Sequence, residues 1–150
     1  MDNFVVGENR ELVAFLRSPK AGFRGVWISG PRSSGRTHLL QAHCGAVLQS
    51  GRQAVYLDFA QRAQDASRQI QRVIDGASAS NALVVLDNLG LLQRDKQQEE
   101  MLMLIYQSLH AAEGEMLVCH EQSALGVEFD LPDLNSRMRG FAHFALVPLR

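Results

Sequence analysis

The sequence predicts an α/β domain with a mostly parallel β-sheet that helices cover on both faces. From Gly25 onward, short apolar runs alternate with longer segments of helical periodicity, and this alternation is typical of strand–helix units. Two of the apolar runs end at Gly30 and Asp87. Because ligands of such sheets bind outside the carboxyl ends of the strands, the sequence also predicts where a site should lie.

Each predicted element follows from a local pattern. Apolar runs of strand length lie at residues 25–29, 53–59, 82–87, 115–120 and 141–149. Apolar side chains recur at helical spacing at residues 35–49, 62–75, 96–112 and 132–139, and a loop at 4–7 with a helix at 9–17 precedes them. Gly51 and Gly76 follow two of the helices, where glycine commonly ends a helix. Pro132 lies in the first turn of the last helix, where proline is favoured.

Length and composition narrow the class of protein. The 150 residues suffice for one domain (1–150), with a core at about 22–150 after an N-terminal loop and helix at 1–21. The net charge of −1 and the weak clustering of basic residues argue against tight, autonomous DNA binding. Arg62, Arg68 and Arg72 are interpreted as a solvated helix face. No apolar run reaches the roughly 18 residues of a membrane span. The two cysteines, far apart in sequence, favour a reduced, cytoplasmic protein.

The first candidate site is a glycine-rich loop between the first strand and its helix. It reads Gly30-Pro31-Arg32-Ser33-Ser34-Gly35-Arg36-Thr37 and is followed by His38. The spacing matches the phosphate-binding P-loop, in which backbone N–H groups and a helix N-terminus hold the phosphates and the hydroxyl ligates Mg²⁺. Arg36 replaces the usual lysine; it keeps the charge, and its forked donors suit a diphosphate. The alternative is an ordinary turn rich in glycine and serine.

The second candidate site is the pair Asp87-Asn88 after the apolar strand at 82–87. In P-loop proteins an acid at this position supports the bound Mg²⁺. Many hydrolysing members carry a second acid next, but here the residue is Asn88, whose amide cannot accept a proton. We therefore expect weak or absent autonomous ATPase activity. The alternative for Asp87 is a carboxylate that caps a turn.

Three segments resemble the DnaA-related branch of the AAA+ proteins, and within it the Hda group. They are Gly35-Arg36-Thr37-His38-Leu39-Leu40, Phe4-Val5-Val6-Gly7-Glu8-Asn9 and Leu131-Pro132-Asp133-Leu134-Asn135-Ser136-Arg137. The Hda group likewise carries arginine in the P-loop, Asp-Asn after the apolar strand, and Leu-Pro-Asp-Leu-x-Ser-Arg. The resemblance extends from Phe4 to Leu149.

The resemblance implies a fold, ligands and partners. The fold would be the AAA+ type of P-loop NTPase, a three-layer sandwich with a five-stranded sheet, and the ligand ADP or ATP with Mg²⁺. Val6 would lie at the wall that contacts the base. Arg137 would act as an arginine finger in trans on ATP held by a DnaA-type initiator, in negative control of replication initiation. A sliding clamp of DNA polymerase and further copies of the chain are the other partners that it implies.

Three features of the sequence differ from the family pattern. A clamp-binding motif of the Gln-Leu-x-Leu-Pro type is not found before Phe4, and the chain ends at Arg150, where the family continues into a helical lid. Either this chain is a fragment of a longer protein or the protein lacks a lid, and we expect the lid subdomain to be absent from these 150 residues. Glu121 falls where the family usually has an aspartate that probes the γ-phosphate.

Two other functions compete with the regulatory one. An adaptor or loader of the same branch would bind nucleotide and dock a partner without stimulating hydrolysis; the missing clamp motif favours it, whereas Arg137 and the pair Asp87-Asn88 favour the regulator. A true ATPase is the third function, and Asn88 argues against it. Without the resemblance, Arg137 would be interpreted as a surface salt-bridge residue.

Overall fold

The computed structural model describes residues 10–19, 21–31, 36–59, 75, 81–91 and 96–146. The strands are β1 (Arg24–Ser29), β2 (Ala54–Asp58), β3 (Leu83–Asp87), β4 (Glu115–His120) and β5 (Ala142–Ala145). The α-helices in this part of the chain are α1 (Arg10–Arg17), α2 (Arg36–Gln49), α3 (Lys96–Ala111) and α4 (Pro132–Arg139). Short 3₁₀ turns lie at Leu89–Leu91 and Ala124–Gly126.

The five strands form one sheet in the order β2-β3-β4-β1-β5, and every neighbouring pair is parallel. This confirms the predicted α/β class. Strands that run parallel in one sheet require crossover connections, and three of the described helices lie in them: α2 leads from β1 to β2, α3 from β3 to β4 and α4 from β4 to β5. The first two candidate residues, Gly30 and Asp87, therefore lie at the same edge of the sheet.

Most element boundaries agree with the sequence prediction. The fourth strand and the helix at 132–139 have the predicted bounds, and the others differ by one or two residues. The last strand is the exception, because it ends at Ala145, although Leu146 still donates a backbone hydrogen bond to Ser29 O at 2.7 Å. The helix predicted at 62–75 lies outside the described residues except for Asp75, which is helical.

Two apolar cores lie on the two faces of the sheet. One contains Trp27, Val84 and Val118 with residues of α3 and α4, and the other contains Val26, Ile28 and Leu117 with residues of α1 and α2. Alternate residues of one strand enter opposite cores, as the pleat of a strand requires. All five residues of β3 are buried, so this central strand holds Asp87 in a fixed place.

The sheet has one side at which its strands begin and one at which they end, and we call these the amino edge and the carboxyl edge. At the amino edge, Phe23, Tyr106 and Phe141 form an aromatic cluster with ring centroids 5.3–6.2 Å apart. A Cβ added to Gly25 would lie 2.4 Å from the Phe141 ring, so the cluster requires glycine at that position. The amino edge also holds the buried Glu115, and the carboxyl edge holds the buried Asp87. None of the helices in the described ranges has the length and apolar character needed to cross a membrane.

Candidate functional site

Gly30 directly follows β1 and lies beside the ends of β4 and β5. Its N–H donates to His120 O at 3.1 Å, and its φ of 144° is one that side-chain-bearing residues rarely adopt. A Cβ here would lie 3.1 Å from Leu146 Cβ and from Leu146 O. The close approach of the two chains therefore requires a glycine at this point. Pro31, which follows, is exposed.

Helix α2 begins next to Gly30 with Arg36, Thr37 and His38. Thr37 and His38 are exposed, whereas Arg36 is only 1% exposed. The hydroxyl predicted to hold a cation is thus accessible in the first turn, while the arginine at the lysine position is not. The other predicted contact residues, Val6, Arg32, Ser33, Ser34 and Gly35, lie outside the described part of the chain.

The guanidinium of Arg36 contacts three groups inside the protein. Its Nη1 donates to Gly30 O at 3.0 Å, and its Nη2 donates to Asn88 Oδ1 at 2.5 Å. Its Nε lies 3.0 Å from Asp87 Oδ1, close enough for an ion pair but not aligned for a hydrogen bond. These contacts link the start of α2 to the ends of β1 and β3.

Asp87 is fully buried at the tip of β3. Its Oδ1 accepts the backbone N–H of Asn88 at 2.9 Å and lies beside Arg36, while its Oδ2 accepts the hydroxyl of Tyr56 from β2. Burial raises the pKa of Tyr56, and the hydrogen bond to Asp87 raises it further. Tyr56 therefore remains a hydrogen-bond donor to this carboxylate over the physiological pH range.

Asn88 has a φ of 57°, in the left-handed region that asparagine tolerates better than most residues. Its Oδ1 accepts from Arg36, and its Nδ2 donates to Asp58 Oδ1 at 2.6 Å. The amide is thus oriented by a cation on one side and a carboxylate on the other. A second carboxylate at this position would face Asp58 directly, so the asparagine suits its surroundings.

The sequence did not indicate the roles of Tyr56 and Asp58 at this site. Asp58 pairs with Asp87 in the register of β2 and β3, and it ends a strand as Asp87 does. The rule that identified Asp87 could have identified Asp58 as well. Tyr56 carried no comparable signal, because its contact with Asp87 depends on the pairing of two strands whose order the sequence does not state.

His120 and Glu121 follow the end of β4 at the same edge. The ring of His120 stacks on Trp27 with centroids 5.6 Å apart, and its Nδ1 accepts the backbone N–H of Gln122 at 2.9 Å. Burial lowers the pKa of His120; Glu121 opposes this shift and Arg36 adds to it. His120 is therefore mainly neutral at pH 7. Glu121 is exposed.

Arg137 lies apart from this group. It is exposed on α4, and its guanidinium lies over the ring of Tyr106, 5.6 Å from the ring centroid. Tyr106 belongs to the aromatic cluster at the amino edge of the sheet. A strand of five or six residues spans about 17–20 Å, so Arg137 and Asp87 lie near opposite ends of the strands.

A buried carboxylate accepts hydrogen bonds from the segment just before α4, the helix that carries Arg137. Glu99 of α3, only 1% exposed, accepts the backbone N–H groups of Asp130 at 3.1 Å and of Leu131 at 2.9 Å. Asn135 adds a pair of hydrogen bonds with the backbone of Phe129, at 2.7 and 2.8 Å. No local pattern indicates this role for Glu99, since its partners are backbone groups 31 and 32 residues away in the sequence.

No protein-family model matches the sequence. Among solved structures, AMPPCP-bound DnaA from Aquifex aeolicus matches with a TM-score of 0.79 at 21% identity, over 97% of this chain and 49% of that chain. Domain III of the replication initiation protein DnaA from Thermotoga maritima matches with a TM-score of 0.76 at 19% identity, over 99% and 67%. A protein from Neisseria meningitidis, solved in solution, matches with 0.61 at 23%, over 99% and 90%.

This chain spans about half the length of two of the DnaA structures that it matches. At these identities the likeness establishes architecture. The parallel sheet, its strand order and the match over nearly the whole chain together show that this domain has the AAA+ P-loop NTPase fold.

Proposed function

We propose that this chain is a DnaA-related, Hda-like regulator of replication initiation that binds ADP or ATP and offers Arg137 to ATP held by a DnaA-type initiator. The separation of two groups carries the proposal. The P-loop residues Gly30 and Thr37 lie at the carboxyl edge of the sheet, and Arg137 lies over Tyr106 near the amino edge. In this proposal the nucleotide that Arg137 contacts belongs to a neighbouring molecule, because its own phosphate site lies at the other end of the strands.

The carboxyl edge has the residue types that a nucleotide phosphate site needs. Gly30 allows a close backbone approach, and the exposed Thr37 lies in the first turn of α2, where the helix N-terminus favours anions. The DnaA structure from Aquifex aeolicus is AMPPCP-bound, which supports an adenine nucleotide for this chain. The magnesium role of Thr37 and Asp87 fits in part, because Thr37 is exposed while Asp87 is already engaged by Tyr56 and Arg36.

Hydrolysis by the chain itself is expected to be slow. Asn88 occupies the position of the second acid, and its amide is held between Arg36 and Asp58. It has no carboxylate with which to activate a water molecule. The chain would therefore keep its nucleotide and act on that of its partner.

Arg137 is suited to act on a partner because it is both exposed and positioned. The contact with Tyr106 holds the guanidinium without neutralising it, since an aromatic ring attracts a cation only weakly at an exposed site, by about 0.5–1 kcal/mol. Arginine fingers stabilise the charge that develops on a transferring phosphoryl group and are worth about 10³–10⁵ in rate where they have been measured.

The proposal also specifies the partners of this chain. A DnaA-type initiator is the first partner, and a second copy of this chain or a sliding clamp of DNA polymerase would extend the assembly. The competing function, an adaptor that docks a partner without stimulating hydrolysis, keeps nucleotide binding and differs only in the role of Arg137. One substitution therefore distinguishes the two functions.

The test is hydrolysis of radiolabelled ATP preloaded on a DnaA-type initiator, measured with this chain and with its Arg137→Ala variant. We expect the wild type to accelerate hydrolysis and the variant to lose that acceleration by about 10³. Arg139→Ala, which removes another exposed arginine of α4, is the matched control and should behave as the wild type. Stimulation that survives Arg137→Ala would reject the action in trans and leave the adaptor.

A further inference from the structure

Tyr106 of α3 has a fixed position at the amino edge of the sheet. It is only 9% exposed. Its ring packs edge-on against Phe23, with centroids 5.3 Å apart, and stacks on Phe141 at 6.2 Å. Phe141 lies so close to β1 that a Cβ on Gly25 would be 2.4 Å from its ring. The Tyr106 ring is therefore packed against two other rings, one of which lies directly on a strand of the central sheet.

The guanidinium of Arg137 lies over this ring. Its Cζ is 5.6 Å from the ring centroid, and an aromatic face attracts a cation within about 6 Å. Arg137 itself is exposed and belongs to the last turn of α4. The contact therefore gives an exposed side chain one preferred direction, which is set by a ring that is buried.

A contact of this kind prepares an arginine for a ligand without withholding it. Ordering a free arginine side chain costs conformational entropy, and a side chain that is already oriented loses less when it binds. A cation–π contact at an exposed site is also weaker than the charge-assisted hydrogen bonds that a guanidinium forms with phosphate. A phosphate can therefore displace the ring, and the net effect of the ring is to favour binding.

We propose that Tyr106 is a positioning residue for Arg137, and that its ring face orients the guanidinium toward the nucleotide of a partner. The inference rests on the proposed action of Arg137 in trans and names a residue on which this action depends. Because the attraction comes from the ring face, phenylalanine at position 106 should replace tyrosine. Leucine fills much of the same space but has no ring face, so it should not.

The test is a titration of the full chain into a DnaA-type initiator loaded with radiolabelled ATP, which yields a maximal stimulated rate and a half-saturating concentration. We expect Tyr106→Leu to lower the maximal rate by about two- to fivefold, the worth of such a contact at an exposed site. The half-saturating concentration should stay within about twofold of the wild type, because docking is unchanged. Tyr106→Phe should keep both wild-type values.

Phe23→Leu is the matched control, because it removes a ring from the same cluster and leaves the ring under Arg137. It should keep the wild-type maximal rate. Three outcomes would overturn the inference and leave Arg137 in its proposed role: an equal loss in both leucine variants, a decrease smaller than about twofold in Tyr106→Leu, or a change in the half-saturating concentration alone. A wild type that stimulates no hydrolysis would overturn both the inference and the action in trans.

NMR of the free chain measures the contact without a partner. An aromatic ring shifts the resonances of groups that lie over its face, so the side-chain signals of Arg137 should differ from those of the exposed Arg139 on the same helix. Tyr106→Phe should keep this difference and Tyr106→Leu should remove it, with circular dichroism verifying the fold. Indistinguishable signals in the wild type would overturn the inference, and this measurement remains decisive if Tyr106→Leu does not fold.

Discussion

Two carboxylates, Asp87 and Glu115, are fully buried at opposite edges of the same sheet. Glu115 begins β4 and contacts three basic side chains: Arg24 at 2.8 Å, Arg52 at 3.3 Å and His43 at 3.4 Å. Asp87 ends β3 and contacts one cation, Arg36, together with a tyrosine hydroxyl and a backbone N–H. A buried negative charge is thus met by two arginines and a histidine at the amino edge and by one arginine at the carboxyl edge.

The partners of the two groups indicate what each does. Arg24 also donates to Phe15 O and Leu16 O at the end of α1, and Arg52 donates to Asn81 O. The Glu115 cluster therefore ties helices, strands and a loop together and has an excess of positive charge. The cation of the Asp87 cluster is Arg36, at the lysine position of the P-loop pattern. The cluster lies at the carboxyl edge, where sheets of this kind generally bind ligands. The difference in partners indicates that Glu115 serves stability, whereas the proposed function gives Asp87 a role at the nucleotide site.

The largest expected effect concerns Glu115→Gln. Removing one partner of a buried ion cluster typically costs 3–5 kcal/mol, and the partly solvated Arg24 and Arg52 place the expected loss near the lower end, about 3 kcal/mol. Urea unfolding measures it. If the two edges act separately, the dissociation constant for ADP stays within about twofold of the wild type in the same variant.

The exposed Glu100 of α3 supplies the control for this comparison. Glu100→Gln removes the same charge from the surface, and we expect it to change the free energy of unfolding by less than about 0.5 kcal/mol. A shift of about tenfold or more in ADP affinity on Glu115→Gln would show that the two edges are coupled, and the division between stability and ligand would fail.

A third buried carboxylate, Glu99, sharpens the comparison because its recorded partners are backbone N–H groups rather than cations. Glu99→Gln keeps an acceptor oxygen but replaces the other oxygen with a donor, so one N–H loses its partner. We expect a loss of about 2 kcal/mol in the free energy of unfolding. We also expect weaker stimulation of a partner's hydrolysis, because Glu99 braces the start of the helix that carries Arg137.

Native-state hydrogen exchange locates the effect of Glu99→Gln. Loss of protection should concentrate at Asp130, Leu131 and the first turn of α4, while β3 keeps its protection. The neighbouring Glu100→Gln again serves as the matched control. Uniform loss of protection over the whole sheet would mean that Glu99 supports the core at large and has no particular role in positioning α4.

The sequence was sufficient for the fold because local patterns determine most of it. Continuous apolar runs such as β3 are typical of strands buried on both faces, and Pro132 at the start of α4 agrees with the predicted helix boundary. The position of Gly30 and Asp87 at one edge also followed, since parallel strands align their carboxyl ends. These predictions needed only the order of elements along the chain.

The contacts within the clusters could not be predicted, because they depend on strand register and side-chain direction. Tyr56 reaches Asp87 only when β2 lies beside β3 with Asp58 opposite Asp87. Arg36 was expected to contact phosphate, and nothing in its spacing indicated that its guanidinium would be buried against Asn88. Glu115 meets partners 91 and 63 residues away, Arg24 and Arg52, and no local pattern records such pairs.

The smallest expected effect is the response of the Glu115 cluster to acid. Burial alone would raise the pKa of Glu115, but the hydrogen bond with His43 and the charge of Arg24 outweigh it, so the pKa lies below its ordinary value of 4.5. A carboxylate whose pKa is lower in the folded state stabilises the fold fully above the unfolded pKa. This stabilisation is lost as the pH falls below about 4.5 and through the folded pKa. Each unit of difference contributes about 1.4 kcal/mol.

The measurement is the free energy of unfolding of the wild type and of Glu115→Gln over a series of acidic pH values. The difference in the free energy of unfolding between the wild type and Glu115→Gln should be constant above the ordinary pKa of a glutamate. Below that pKa the difference should shrink, because only the wild type must protonate Glu115 while folded. Glu100→Gln should run parallel to the wild type throughout. An advantage that does not change with pH would mean that packing, rather than the charge on Glu115, holds the amino edge of the sheet together.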